Sequence, residues 1–163
     1  MAPCKIYDIR VNDSIEQIER SWLIGRKVIL TRQSVPAPDH LNPSWSDGEG
    51  GFFVVKDAPT PLHPTTPHPA ESLIIPRVHA AGDCAAVWRA GEAFIKAHNF
   101  KVAGTTREHV PLQYVHGKKP VGFEVPRVLY HAEIDDRYFL ITSRVPGVTL
   151  MEAWPSLDET LRD

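Results

Sequence analysis

Cysteine is nearly absent. The 163 residues carry only Cys4 and Cys84, far apart and in unlike contexts, which excludes a disulfide framework and a paired-cysteine metal site. Cys84 reads as a small buried apolar residue. An excess of one charge is missing too: 18 Lys plus Arg stand against 20 Asp plus Glu, for a net charge of −2. That balance leaves no basic footprint, so nucleic acid is not an expected partner. No apolar run approaches the roughly 18 residues of a membrane helix, and the stretch after Met1 leads through Lys5 into charged sequence, unlike a signal-peptide core. Together these absences predict a cytoplasmic protein that spans no membrane. With 42% hydrophobic residues, a domain of this length can bury roughly 70% of its unfolded surface and needs no covalent staple.

Proline is abundant, and its placement divides the chain. Pro36, Pro38, Pro43, Pro59, Pro61, Pro64, Pro67, Pro69 and Pro76 crowd one stretch, and Asp47, Gly48 and Gly50 add turn chemistry within it. No regular helix survives there, so 34–72 reads as a Pro-rich surface linker in which Phe52, Phe53, Val54 and Val55 can add a strand. Ahead of it, 1–33 reads as a helix and strand segment. Ser14 and Gln17 fit a capping box, Ile15, Ile18 and Trp22 recur at helical spacing, Gly25 can end the helix, and 27–31 is β-prone.

Past the linker the pattern changes to short strands with sharp turns. Strands are expected at 73–79, 84–89 and 92–97, joined as an antiparallel meander by turns at 80–83 and at Ala90 and Gly91. A helix follows, opened by a capping box from Thr105 to Glu108 and carrying Val110, Leu112, Tyr114 and Val115. Pro111 predicts a kink or a shortened first turn. Two strands at 127–133 and 137–143 turn at Asp135 and Asp136. A short helix over 149–154 meets Pro155, and another helix start is expected at 156–159.

The order of these elements, three strands, a helix, two strands and a Pro-Gly connector, resembles the small lobe of the protein kinase-like fold. Ala93-Phe94-Ile95-Lys96 resembles the kinase strand that carries the phosphate-binding lysine, and Glu108 stands near the start of the next helix. Val87-Trp88-Arg89, Gly91-Glu92-Ala93-Phe94, Thr106-Arg107-Glu108-His109, the run from Tyr138 through Leu150, and Glu152-Ala153-Trp154-Pro155-Ser156 closely resemble fungal members of the aminoglycoside phosphotransferase family. The resemblance covers the chain from about Leu73 onward.

The resemblance implies an α+β fold: a kinase-like small lobe at 73–148, made of a five-stranded antiparallel sheet with one packed helix, then the truncated start of a large lobe at 149–163. It implies an ATP site. Lys96 would contact the α and β phosphates and be held by Glu108. Gly82 would let the hairpin turn approach phosphate through its backbone. Val87 and Ile141 would pack on the adenine ring, and backbone groups of Ser143, Arg144 and Val145 would pair with its edge. The reaction implied is phosphoryl transfer to a hydroxyl of a small molecule, which rests on positioning and charge neutralisation. The family's His-Gly-Asp-like catalytic loop and its magnesium ligands belong to the large lobe, so no catalytic or metal-binding residue is expected in this chain.

Each residue also has an ordinary explanation. Lys96 can be a solvated strand end, and Glu108 can serve only as the capping partner of Thr105. His63 and His68 read as solvated linker residues, because no carboxylate or cysteine stands near them. His109, His116 and His131 suit the surface or core edge, and Asp135 and Asp136 suit turn chemistry. The competing functional reading is a noncatalytic module that binds a partner or itself through an apolar face near Val145, Val148, Leu150 and Trp154.

Overall fold

The computed structural model describes residues 10–38, 41–99, 106–119 and 122–156. The capping residue Thr105, Cys4 and the helix start expected beyond Ser156 lie outside them.

Antiparallel pairing of short strands, not helical periodicity, organises the first half. Strands β1 (Ile15–Ile18), β2 (Ser21–Ile24), β3 (Val28–Gln33), β4 (Ser44–Ser46), β5 (Phe52–Asp57) and β6 (Thr66–Pro67) form one sheet in the order β4-β5-β3-β2-β1-β6. Every pairing in it is antiparallel. The helix expected from Ser14 is therefore a hairpin. Ile15, Ile18 and Trp22 satisfy a helical spacing, but they also fit two four-residue strands once the chain reverses at Glu19, whose φ is 49°. Pairing then places Gln17 beside Trp22 and Ile15 beside Ile24. Ser14 opens no helix: its amide closes the short turn Val11–Asp13 by donating to the Val11 carbonyl, and its hydroxyl accepts from Arg137 Nη1 at 2.8 Å. Gly25 ends no helix either. With Arg26 it forms the β2–β3 turn, at φ 57° and 60°.

The Pro-rich segment is likewise more than a surface linker. It supplies β4, β5 and β6, and it buries Trp45, Phe53, Val54, Val55 and His68. Its prolines fall almost entirely between strands, where no ladder amide is lost. Pro67 sits in β6 at the sheet's edge, the position a sheet allows.

The second half forms the five-stranded sheet. Strands β7 (Arg77–Ala81), β8 (Ala85–Ala90), β9 (Ala93–Asn99), β10 (Val128–Ile134) and β11 (Arg137–Ser143) are ordered β10-β11-β9-β8-β7, antiparallel throughout. The turn at Asp135 and Asp136 joins β10 to β11, with Asp135 at φ 54°. Cys84 is exposed in the β7–β8 turn, not buried, because this hairpin tip, Ala80 to Asp83 included, projects into solvent.

Helix α1 (His109–Gly117) lies between β9 and β10 in sequence. Pro111 is its third residue, inside the first turn whose amides have no helical acceptor, so no kink is required. Glu108 occupies the cap position without a side-chain cap bond. The five antiparallel strands match expectation roughly: the first runs from Arg77 to Ala81 and not over 73–79, because Leu73 and Ile74 stay exposed ahead of Pro76. The helix is not the sheet's main cover, since no residue of α1 is buried. The other sheet takes that place. Val11, Ile15, Trp22, Ile24, Leu30, Trp45, Phe53 and Val55 from the first half form one core with Trp88, Ile95, Phe139 and Ile141 from the second. Full burial of each such large side chain stabilises by roughly 1.5–3 kcal/mol, which explains why the apolar faces close on each other. The fold is α+β, with two antiparallel sheets and few helices. After β11 the chain runs into α2 (Leu150–Ala153), whose start carries a reciprocal capping box: Thr149 N donates to Glu152 Oε2 at 2.8 Å, and Glu152 N donates to Thr149 Oγ1 at 3.2 Å.

The sheets meet most tightly where the β8–β9 turn abuts β4. Gly91, at φ 56°, leaves room only for a hydrogen: a Cβ there would stand 2.5 Å from Asp47 Cα and 2.6 Å from the Ser46 carbonyl oxygen. Beside it, Trp45 Nε1 donates to the Ala90 carbonyl at 2.7 Å and Glu92 N donates to that of Ser46 at 3.0 Å. Gly91→Ala combines left-handed backbone with a backbone clash, so it is expected to lower unfolding free energy by more than about 1 kcal/mol, read by urea denaturation. Gly50→Ala, where a Cβ meets no atom within 4 Å, carries only the backbone cost and should fall by less.

Candidate functional site

The five-stranded sheet has two chemically distinct faces, and register assigns residues to them. Val87, Lys96 and Leu140 stand opposite one another on β8, β9 and β11, as do Arg89, Phe94 and Thr142. Directly paired residues share a face, so these six lie on the face turned away from the inter-sheet core. Trp88, Ile95 and Ile141 form the intervening row and belong to that core.

Lys96 points from the outer face toward the start of α1, where its Nζ forms an ion pair with Glu108 Oε1. Both side chains are about one-third exposed, at 31% and 39%. The residues around Glu108 fix its position. His109 N donates to the Tyr138 hydroxyl at 3.2 Å, His109 Nδ1 lies 2.9 Å from the same oxygen, and Arg107 Nε donates to Glu133 Oε1 at 2.6 Å. Strands β10 and β11 thus hold the lead-in and first turn of the helix from both sides of Glu108.

The remaining residues singled out from sequence divide. Val87 shares the Lys96 face. Ile141 does not: it is 1% exposed and packs in the inter-sheet core, so it cannot stack on a ring placed beside Lys96. A one-residue change of parity explains the correction, because Leu140 and Thr142 occupy the Lys96 face instead. Both are as buried as Ile141, at 0% and 2% exposed, so neither offers a surface to a ring; half-buried Phe94 is the residue that sequence reasoning missed, and strict alternation counted from Lys96 along β9 would have found it. Gly82 lies in the β7–β8 turn at φ 54°, with nothing within 4 Å of where a Cβ would stand. Its carbonyl accepts from Asn12 Nδ2 at 3.0 Å, which ties the hairpin tip to the N-terminal segment.

Ser143, Arg144 and Val145 border a cavity of about 440 Å³ that Phe123 and His116 also line. Two of their amides are already committed. Ser143 N donates to the Arg127 carbonyl and Arg144 N to the Glu92 carbonyl, each at 2.8 Å. An adenine edge laid there would meet carbonyl groups and the Val145 amide, not three consecutive amides. Arg144 is held further by its Nη1, 3.2 Å from Glu92 Oε1.

The histidines also separate. His63 is exposed, as expected of a linker residue. His68 is buried, with Nε2 2.8 Å from the Ile75 carbonyl oxygen, and desolvation lowers its pKa, opposed by that hydrogen bond. It is a structural residue and not a solvated one, because β6 carries it against Trp22 at a ring separation of 6.5 Å. Among the described residues no three His, Cys, Asp or Glu side chains gather as a metal site, and no helix is long and apolar enough to cross a membrane.

No protein-family model and no curated protein matches the chain. Among solved structures, the bifunctional kinase-methyltransferase WbdD is similar at 16% identity and a TM-score of 0.31, over 77% of this chain and 30% of that one. A likeness so distant bears on neither fold nor activity, and the chain spans under a third of that protein's length.

The energetic weight of the Lys96–Glu108 pair follows from its exposure. Ion pairs this open to water contribute between zero and about 1 kcal/mol. A double-mutant cycle of Lys96→Met and Glu108→Gln, read by chemical denaturation, should therefore give a coupling below about 1 kcal/mol. A value of several kcal/mol would show that the pair is a structural clamp.

Proposed function

We propose that the outer face of the five-stranded sheet is the nucleotide-binding side of a kinase-like small lobe, of the aminoglycoside phosphotransferase type, which binds ATP for transfer to a small-molecule hydroxyl in the cytoplasm. The Lys96–Glu108 ion pair carries this reading. Joining a mid-strand lysine to the head of a helix contributes little to stability, yet it fixes an ammonium group on an open sheet face beside Val87 and Phe94. A positioned cation next to apolar surface suits a ligand with both an anionic chain and a ring.

In this arrangement Lys96 neutralises phosphate charge, Val87 and Phe94 pack on the base, and the Gly82 turn closes over the phosphates. Carbonyl groups near Ser143 and the Val145 amide read the base edge. Magnesium would accompany ATP, but the described residues offer it no ligand set. The role drawn for this chain is binding and orientation of the nucleotide.

Isothermal titration of ATP tests the reading. A charge-assisted hydrogen bond contributes roughly 1.5–3 kcal/mol, so Lys96→Ala should weaken ATP at least about tenfold while leaving adenosine nearly unchanged. Val87→Asp should weaken both. Equal ATP affinity in the parent and Lys96→Ala would remove Lys96 from the site and the assignment with it.

A second reading, self-association, has its own observation. Val148 and Met151 are 74% and 84% exposed, and Trp154 is 44% exposed, so three large apolar side chains in the segment after β11 face solvent. Val145 is half-buried, and the side chain of Leu150 lies outside the described set. If this surface joins two copies, light scattering will show a mass that rises with concentration in the parent and stays monomeric in Met151→Ser/Trp154→Ser. A parent that remains monomeric throughout contradicts this reading and leaves the nucleotide site untouched.

A further inference from the structure

The head of α1 rests on two histidines whose rings lie face to face. His109, the first residue of the helix, stacks on His131 of β10 with centroids 3.7 Å apart and planes only 6° from parallel. At that distance two neutral imidazoles gain from stacking, whereas two imidazolium ions repel. His131 is exposed, so water can deliver a proton to the stack. Tyr138 lies beneath: its hydroxyl accepts from the His109 backbone amide and lies 2.9 Å from His109 Nδ1. The phenol O–H can donate to Nδ1 only while that nitrogen is unprotonated.

We propose that the His109–His131 stack is a proton-operated latch: with the rings neutral it holds the first turn of α1 on β10 and β11 and keeps Glu108 beside Lys96, and protonation of the pair releases that turn. The latch regulates the site assigned above and relies on that reading only for its consequence, since the docking itself needs no nucleotide.

The groups facing His109 from every side favour this behaviour. From β10 come His131 and Glu133; from β11, Tyr138; from β9, His98, which meets the Tyr138 ring edge-on at 5.0 Å, and Lys96. From the helix lead-in come Arg107 and Glu108. Glu133 is the carboxylate nearest in effect to His109, but Arg107 already engages it, just as Lys96 engages Glu108. Each acid is shared with a cation, so its pull on a charged ring is offset by its partner. Burial first, then His131 and Arg107, lower the His109 pKa, against an opposing pull from Glu133.

The sign follows from the direction of that shift. A histidine with a lowered pKa in the docked state costs nothing at high pH. Its penalty begins as pH falls through the undocked value near 6.5 and levels off below the docked value. The docked population should fall about tenfold for each pKa unit between the two.

The experiment is amide hydrogen exchange over α1 at about pH 8 and about pH 5, corrected for intrinsic exchange rates and made without nucleotide. Expected is loss of α1 protection at low pH in the parent, a smaller loss between the two pH values in His131→Gln, which removes the facing charge but leaves His109 to titrate, and no pH-dependent loss in His109→Phe, which stacks without titrating. Imidazole NMR of His131→Gln should show His109 titrating at higher pH than in the parent. Parent protection unchanged between the two pH values, or lost to the same extent in both variants, overturns the latch, as does an unmoved His109 titration. A latch that behaves as expected in a chain that fails to bind ATP overturns the nucleotide reading alone.

Discussion

The contact between the two sheets at Gly91 admits only a hydrogen atom. Because nothing larger stands there, the β8–β9 turn reaches the backbone of Ser46 and Asp47, and three polar links form around the contact. Trp45 Nε1 reaches Ala90, Glu92 N reaches Ser46, and the Glu92 carbonyl receives Arg144 N. Glu92 therefore ties β4 of the first sheet to the chain leaving β11 of the second. Asp47 is fixed from its other side: burial works to raise its pKa, but the Glu49 amide, the Arg32 guanidinium and the Gly51 amide hold it below the ordinary carboxyl range. A charge that stays ionised while buried needs such donors, and they keep the loop rigid where Gly91 docks.

This joint decides which face of the second sheet stays open. Once Trp88, Ile95, Phe139 and Ile141 are committed to the inter-sheet core, alternation leaves Val87, Phe94, Lys96, Leu140 and Thr142 on the opposite side. Of these, Leu140 and Thr142 are buried, and Val87, Phe94 and Lys96 are the ones that water reaches. The burial of Ile141 and the accessibility of Lys96 are one fact seen from two sides of a pleated strand.

Much of the second half was legible from residues because its turns are marked. Gly82, Gly91 and Asp135 sit at hairpin tips with positive φ, so strand lengths followed from the spaces between them. The first half was opaque for a matching reason. Its β1–β2 turn uses Glu19 and Arg20, which carry no turn signature, and an unmarked turn makes Ile15, Ile18 and Trp22 look helical. In the Pro-rich stretch the strong breaker signal hid β4, whose three residues are too few to show alternation. Lys96 and Glu108 were legible because their spacing is local to one strand and one helix. Leu140 and Thr142 were not, because their place depends on a register set between strands some 40 residues apart in the chain.

The contrast between the faces also explains where control can reside. The inter-sheet core holds few groups that titrate near neutrality and is closed to water. The outer face concentrates His98, His109 and His131 around Tyr138 within one helical turn of Glu108. Helix α1 buries none of its own residues fully, so its attachment there rests on ring contacts, one phenol oxygen and two part-exposed ion pairs beside the half-buried Leu112 and Val115. Apolar burial is indifferent to protons. A helix held by polar contacts is not, and the element that positions Glu108 against Lys96 is the one whose hold on the sheet responds most directly to pH.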